Sequence, residues 1–255
     1  MSQLMFTSKT LSFLRALKRN NRRDWFTPRK EEYERHVRTP MLALIERLAN
    51  DLPAFAPELA ADPKVSLFRV YRDTRFSSDK TPYKTHVAAR FPMRSFPRGE
   101  GAGLYMEIEP RWVWIGGGMY MPTTADLHDI RAKIASSYPQ FHVIVNAPSF
   151  RRAVGELTGE RLTRVPLAYP KDHPAAHYLQ FKQFLGSCEY QPSLATSPRF
   201  YRELLKVFTG VAPLVQFLNR AIEPRLTQTS PLPDEPPRRD PRQTAAPRPV
   251  PEPMW

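Results

Sequence analysis

The chain has 255 residues, with 38 Lys and Arg against 25 Asp and Glu, a formal charge of +13. With 41% hydrophobic residues, 15 Phe and 10 Tyr, a sizeable core is feasible, in one domain with appendages or in two small ones. No apolar run approaches the roughly 18–20 residues of a membrane span, and the single cysteine, Cys188, excludes an internal disulfide and any zinc site built from several cysteines.

The N-terminal residues contain no uninterrupted apolar stretch of signal-peptide length, and their Leu and Phe recur at helix spacing. The expected setting is therefore a reducing, cytoplasmic one, without a membrane. Residues 227–255 hold four Arg and four acidic side chains, so the whole charge excess belongs to residues 1–226. That balance favours an anionic partner, either an acidic small molecule or nucleic acid.

In chain order, Phe6, Leu11, Leu14 and Leu17 with Phe13 predict a first helix, with Thr7, Ser8 or Thr10 at its start and Asn20-Asn21 at its end. A second helix is expected over 27–50, with Pro28 in its first turn and Pro40 kinking or dividing it. Its buried face is marked by Tyr33, Val37, Met41, Leu44, Ile45 and Leu48. Four short strands are then expected at 65–71, 84–91, 103–109 and 112–116, the last two forming a hairpin. The polar connection between the first two is too short for a crossover helix, so neighbours are antiparallel.

Helix returns near Thr123 or Thr124, followed by helices over 148–157 and 175–184 and an extended stretch at 165–168. A last helix runs over 197–222, with Pro213 bending it. Helices, then strands, then helices give an α+β fold: an antiparallel sheet of about four or more strands with helices packed mainly on one face. The domain is expected to span 1–226. Nine prolines fall within 231–253, so 227–255 reads as a disordered or polyproline-like tail.

The stretch 68–86 is the richest in chemistry. It carries Arg69, Arg72, Arg75, Lys80 and Lys84 against Asp73 and Asp79, interleaved with Tyr71, Phe76 and Tyr83. A planar guanidinium fork matches carboxylate or phosphate oxygens, so several at short spacing point to an oxyanion clamp. Arg69, Arg72, Arg75, Asp79, Lys80, Tyr83 and Lys84 form the candidate ligand-binding set. Alternation places Lys84, His86, Ala88 and Arg90 on one strand face, and Tyr105, Glu107 and Glu109 on one face of the next. Aligned, these faces bring Arg69, Lys84, His86 and Arg90 near Glu107 and Glu109, either as a site or as a salt-bridged solvent face. His86, Glu107 and Asp73 are the candidate acid/base residues; cationic neighbours would keep His86 neutral.

The pattern Arg69-x-x-Arg72-Asp73-x-Arg75-Phe76-x-x-Asp79-Lys80-x-Pro82-Tyr83-Lys84 resembles the signature of DUF2461, a bacterial and fungal family of unknown function. The resemblance extends to Phe13-Leu14-x-x-Leu17-x-x-Asn20-Asn21-x-x-x-Trp25-Phe26 and to Gly116-Gly117-Gly118-Met119-Tyr120-Met121-Pro122, covering about residues 6–220. It implies no assigned activity and carries over no catalytic residue.

Gly116–Gly118 follows a strand and precedes a helix, where glycine serves either a phosphate-cradling loop or a close backbone approach. It lacks the Lys-Ser/Thr and the GxGxxG spacing of nucleotide loops. Trp25 and Phe26 anchor their loop to the core, or Arg22 and Arg23 line the rim of a site. His173 and His177 have helical ligand spacing, but Pro174 lies between them and no Glu follows the first; no metal or cofactor is implied. Three functions remain in view: an anion-recognising domain, enzymatic or not; a nucleic-acid-binding module; and a structural protein whose motif is an internal salt-bridge knot. The spacing Pro233-x-x-Pro236 would fit an SH3-like groove, but such spacing is expected by chance in so proline-rich a tail.

Overall fold

A computed structural model describes residues 5–75 and 77–229. The proline-rich segment lies outside the described residues. The chain begins with α1 (Ser8–Arg19), whose Leu11, Phe13, Leu14 and Leu17 are buried as its periodicity requires. A single turn, α2 (Arg23–Phe26), leads through a 3-10 turn into α3 (Lys30–Tyr33), a π turn at Glu34–Arg38, and α4 (Thr39–Asp51).

The expected division at Pro40 takes the form of that π turn. Pro40 has no N–H to give to the carbonyl four residues back. His36 O is instead served by the buried Thr10 hydroxyl at 2.7 Å, which ties α1 to the irregular turn.

The strand expected at 65–71 does not form as such. Asp62 caps a helical turn, α5 (Pro63–Ser66), by accepting from Lys64 N–H at 2.7 Å. An extended arm over 67–72 then follows, making isolated antiparallel bridges, Leu67 with Ala89 of the sheet and Tyr71 with Tyr83 just ahead of it. The sheet itself is β1 (Val87–Pro92), β2 (Gly103–Ile108), β3 (Val113–Met119) and, later, β4 (Phe184–Tyr190), all antiparallel in the order β1-β2-β3-β4. The β2–β3 hairpin is where the sequence puts it.

After β3 come α6 (Thr124–Ser136), α7 (Tyr138–Asn146), α8 (Pro148–Val154), the single turn α9 (Ala176–Leu179), β4 and α10 (Phe200–Thr229). Thr123 and Asp126 form a reciprocal cap on α6, Asp126 N–H donating to Thr123 Oγ1 at 3.1 Å and Thr123 N–H to Asp126 Oδ2 at 2.8 Å. Two expectations fail in this half, and one helix goes unforeseen. Helix α7 is that helix, residues 165–168 form no strand, and the helix expected over 175–184 shrinks to one turn that ends before the Phe181 bridge to Arg161 and the start of β4 at Phe184. Ser187, Cys188 and Glu189 gave that strand no clean alternation.

Helix α10 runs through Pro213 and Pro224 to Thr229, past the expected end at Ile222. Leu204, Val207, Phe208, Val211, Val215 and Leu218 on it are fully buried. They pack on the sheet face carrying Phe91, Leu104, Met106, Ile115 and Gly117, with Phe91 and Phe208 edge-to-face at 5.5 Å. The domain is thus α+β, with its core between the sheet and the helices. No helix among the described residues is long and apolar enough to cross a membrane.

Candidate functional site

The arm 67–72 lies beside β1 and the residues leading into it because its backbone pairs with both. Phe68 N–H donates to Ala88 O at 3.2 Å, Lys84 N–H to Val70 O at 2.7 Å, and Arg72 N–H to Pro82 O at 2.9 Å. The intervening loop is closed by its own charges. Arg75 grips Asp73 with two side-chain bonds, Nε to Oδ1 at 3.0 Å and Nη2 to Oδ2 at 2.8 Å. Arg72 donates to Asp79 and to the Thr81 hydroxyl. Asp79 also accepts from Thr81 N–H at 2.9 Å, and Lys80 Nζ donates to Thr74 O at 2.9 Å.

These bonds stabilise both carboxylates in their charged form. The Arg75 guanidinium holds Asp73 down at about 2, and the Thr81 amide, followed by Arg72, holds Asp79 down at about 2. Arg72 and Arg75 therefore spend their forks inside the loop.

Tyr83 lies in the core, not on the surface. Its ring stacks on Phe26 with centroids 4.1 Å apart, and Phe13 and Tyr33 complete the aromatic cluster. Trp25 packs on Phe13 at 5.7 Å and carries the Arg29 guanidinium 4.7 Å above its ring. The anchoring reading of Trp25 and Phe26 accounts for their positions. Arg22 sits 3.2 Å from its neighbour Asp24.

The strand faces align only in part as the alternation suggests. Ala88 pairs with Glu107 and Arg90 with Tyr105, and His86 Nε2 comes within 3.9 Å of Glu107 Oε2. Arg90 turns aside, donating to the carbonyls of Gly99, Glu100 and Gly101. Glu109 is buried, held by Lys18 Nζ at 2.5 Å and by Arg111 N–H at 2.8 Å. Glu107 is fixed by Tyr105 OH at 2.8 Å and Trp112 Nε1 at 3.0 Å. Across the same face Trp114 pairs with Glu107 and meets Tyr105 edge-on at 5.5 Å, and Phe68 meets Tyr105 at 6.0 Å.

Lys84 completes this surface, its ammonium 4.7 Å from the Phe68 ring centroid. Burial and then the nearby Arg69 guanidinium push the Lys84 pKa below its ordinary value. Burial pushes His86 down as well, Glu107 opposing that effect and Lys84 adding to it. Burial, reinforced by Glu107, pushes the Tyr105 phenol up. At neutral pH the face thus presents a neutral imidazole, a phenol, a fixed carboxylate and two cations. Such an imidazole can accept a hydrogen bond or a proton, and Glu107 can orient or stabilise it. Neither Lys84 nor Arg69 forms a salt bridge among the described residues, although Asp73 feels the Arg69 charge from farther off.

Sequence reasoning left Tyr105, Trp112 and Trp114 out of the candidate set. Their signal was an aromatic at alternate positions on a face otherwise polar, which alternation alone does not separate from ordinary strand composition. Gly116–Gly118 lies within β3 and not in a phosphate-cradling loop. A Cβ on Gly116 would sit 2.5 Å from Gly186 O, and one on Gly118 would sit 1.9 Å from Phe184 O. His173 Nδ1 accepts from Ala175 N–H at 3.0 Å, and the His177 ring packs on Tyr178 at 3.6 Å. Among the described residues no three His, Cys, Asp or Glu side chains gather where a metal could be held.

Fold and surface together define an α+β domain: a four-stranded antiparallel sheet, helices on one face, and a polar-aromatic surface beside a self-paired arginine loop on the other. The chain belongs to the DUF2461 family, conserved hypothetical proteins, whose family model matches residues 9–217. No curated protein matches it.

Proposed function

We propose that this domain recognises a small anionic ligand at the end of the sheet where Lys84 and Arg69 approach one another. One observation carries the reading: of the cations in 69–84, Arg72 and Arg75 hold Asp79 and Asp73 and Lys80 holds the Thr74 carbonyl, whereas Lys84 and Arg69 repel each other and neither forms a salt bridge among the described residues. An anion placed there relieves that repulsion and gains charge-assisted hydrogen bonds. Phe68, Tyr105 and Trp114 supply aromatic surface for the body of the ligand, and His86 is the group available to exchange a proton with it.

The test is titration of inorganic phosphate, then of phosphorylated and carboxylated metabolites, by calorimetry. Arg69→Ala and Lys84→Met each weaken binding by about tenfold or more, the scale of one charged hydrogen bond. Unchanged affinity in both variants, or no binding of any anion at low salt, overturns the reading. Nucleic acid is separated by its salt dependence: a logarithmic slope of several units marks a polyphosphate track, whereas a small-anion site releases few counterions.

A further inference from the structure

The arm 67–72 uses only one of its two backbone edges. Phe68, Val70 and Arg72 bond inward to Ala88, Lys84 and Pro82. Antiparallel alternation turns the N–H and C=O of Arg69 and Tyr71 outward, and none of these four groups has a hydrogen-bond partner among the described residues. The free edge borders a groove of about 490 Å³, lined also by Lys30, Tyr33, Glu34 and Arg38 and reaching Phe26. That volume lies within the range of true ligand clefts. Its helical side includes the π turn, an irregularity that recurs at functional sites.

An unpaired edge is a template for an extended chain: main-chain bonds give affinity, and alternate side chains give specificity. Charge selects the occupant. Lys30 and Arg69 form no salt bridge among the described residues, and Glu34 is taken up by Arg38 at 3.1 Å. The groove is therefore cationic. A second copy of this chain, paired antiparallel about Arg69, would oppose Arg69 to Arg69, which destabilises a strand pair. We propose that the groove binds an extended peptide bearing acidic side chains, added as a strand to the edge of Arg69 and Tyr71. This site shares Arg69 with the anion site but needs neither Lys84 nor His86, so Lys84→Met tests the anion site alone and Lys30→Glu the groove alone.

The probe is an acetylated hexapeptide of alternating glutamate and valine, titrated into the intact protein and followed by amide hydrogen exchange. The Arg69 and Tyr71 amides exchange freely in the unliganded protein, and with the peptide they slow by about tenfold or more. N-methylating the alternate peptide amides that face the edge lowers affinity by about tenfold, as do replacing glutamate by lysine and the variant Lys30→Glu. Two N-methylated peptides, one for each set of alternate amides, cover both registers. Unprotected Arg69 and Tyr71 amides overturn the proposal, as does equal affinity of the parent and both N-methylated peptides. Failure of the parent peptide to bind at millimolar concentration also overturns it.

Discussion

Asn21 and Tyr83 exchange two hydrogen bonds across the fold: Asn21 Nδ2 donates to Tyr83 O at 2.8 Å, and Tyr83 N–H donates to Asn21 Oδ1 at 3.0 Å. A side-chain amide here takes the place of a strand neighbour, satisfying both main-chain groups of a residue just ahead of β1. It couples the asparagine turn after α1 to the Pro82-Tyr83 end of the arginine loop. These are two of the three stretches that carry the family resemblance, and the exchange joins them in the fold. Asn21→Ala removes both bonds and destabilises the domain by about 2 kcal/mol, read from denaturant unfolding. A loss below about 0.5 kcal/mol would mean that the loop is held by the stacking of Tyr83 on Phe26 instead.

Arg72 and Arg75 make ion pairs that solvent reaches: Arg75 is exposed at 77% of its side-chain surface, and Arg72, itself 26% exposed, pairs with an Asp79 that is 56% exposed. Exposed pairs contribute little, so Arg72→Lys and Arg75→Lys each change stability by less than about 1 kcal/mol and leave phosphate affinity intact. For a domain of this size that is at most about 2–4 °C in Tm. A fall in ligand affinity of about 1.5–3 kcal/mol would instead make these arginines the clamp.

His86 carries a pH signature whose sign follows from its surroundings. Burial, the main cause, places its folded pKa below the ordinary 6.5, so between those values the unfolded chain binds more protons. Its contribution to stability is complete above about 6.5 and is lost as pH falls through that value toward the folded one. Between about pH 7.5 and pH 5.5, wild type should lose more unfolding free energy than His86→Asn. An NMR titration of the imidazole checks the direction. A midpoint above 6.5 would mean that pairing with Glu107 outweighs burial.

Gly118 has φ of +126°, and a Cβ there would lie 1.9 Å from Phe184 O. Both the conformation and the approach of β4 reject a side chain. Gly118→Ala should cost about 3 kcal/mol or more, detected as a lowered unfolding midpoint. Gly155→Ala makes the control: Gly155 also has positive φ, +78°, but nothing lies within 4 Å of its Cβ position, so it isolates the backbone strain. Equal losses in the two variants would show that the close approach to β4 contributes nothing.

Where one element's own pattern suffices, the sequence settles the matter by itself. The period of Leu11, Leu14 and Leu17 places α1, Thr123 and Asp126 start α6, and the brevity of Pro110-Arg111 forces the β2–β3 hairpin. The α+β class follows from that order of elements, and membership of the family from the spacing in 69–84.

The tertiary structure decides what depends on partners distant along the chain. Residues 65–71 have strand composition, yet α5 takes up their start and the rest pairs only through isolated bridges to Ala89 and Tyr83, which leaves one edge free. Phe184 to Tyr190 becomes a strand because β3 offers it an edge. The candidate charges divide in the same way: Arg72 and Arg75 find aspartates within their own loop, Glu109 is buried under Lys18 from α1, and Tyr83 sinks onto Phe26. Lys84 and Arg69 form no salt bridge among the described residues, because the aspartates of the loop are already held by Arg72 and Arg75. Composition counts charges, but only the folded chain decides which of them are already neutralised.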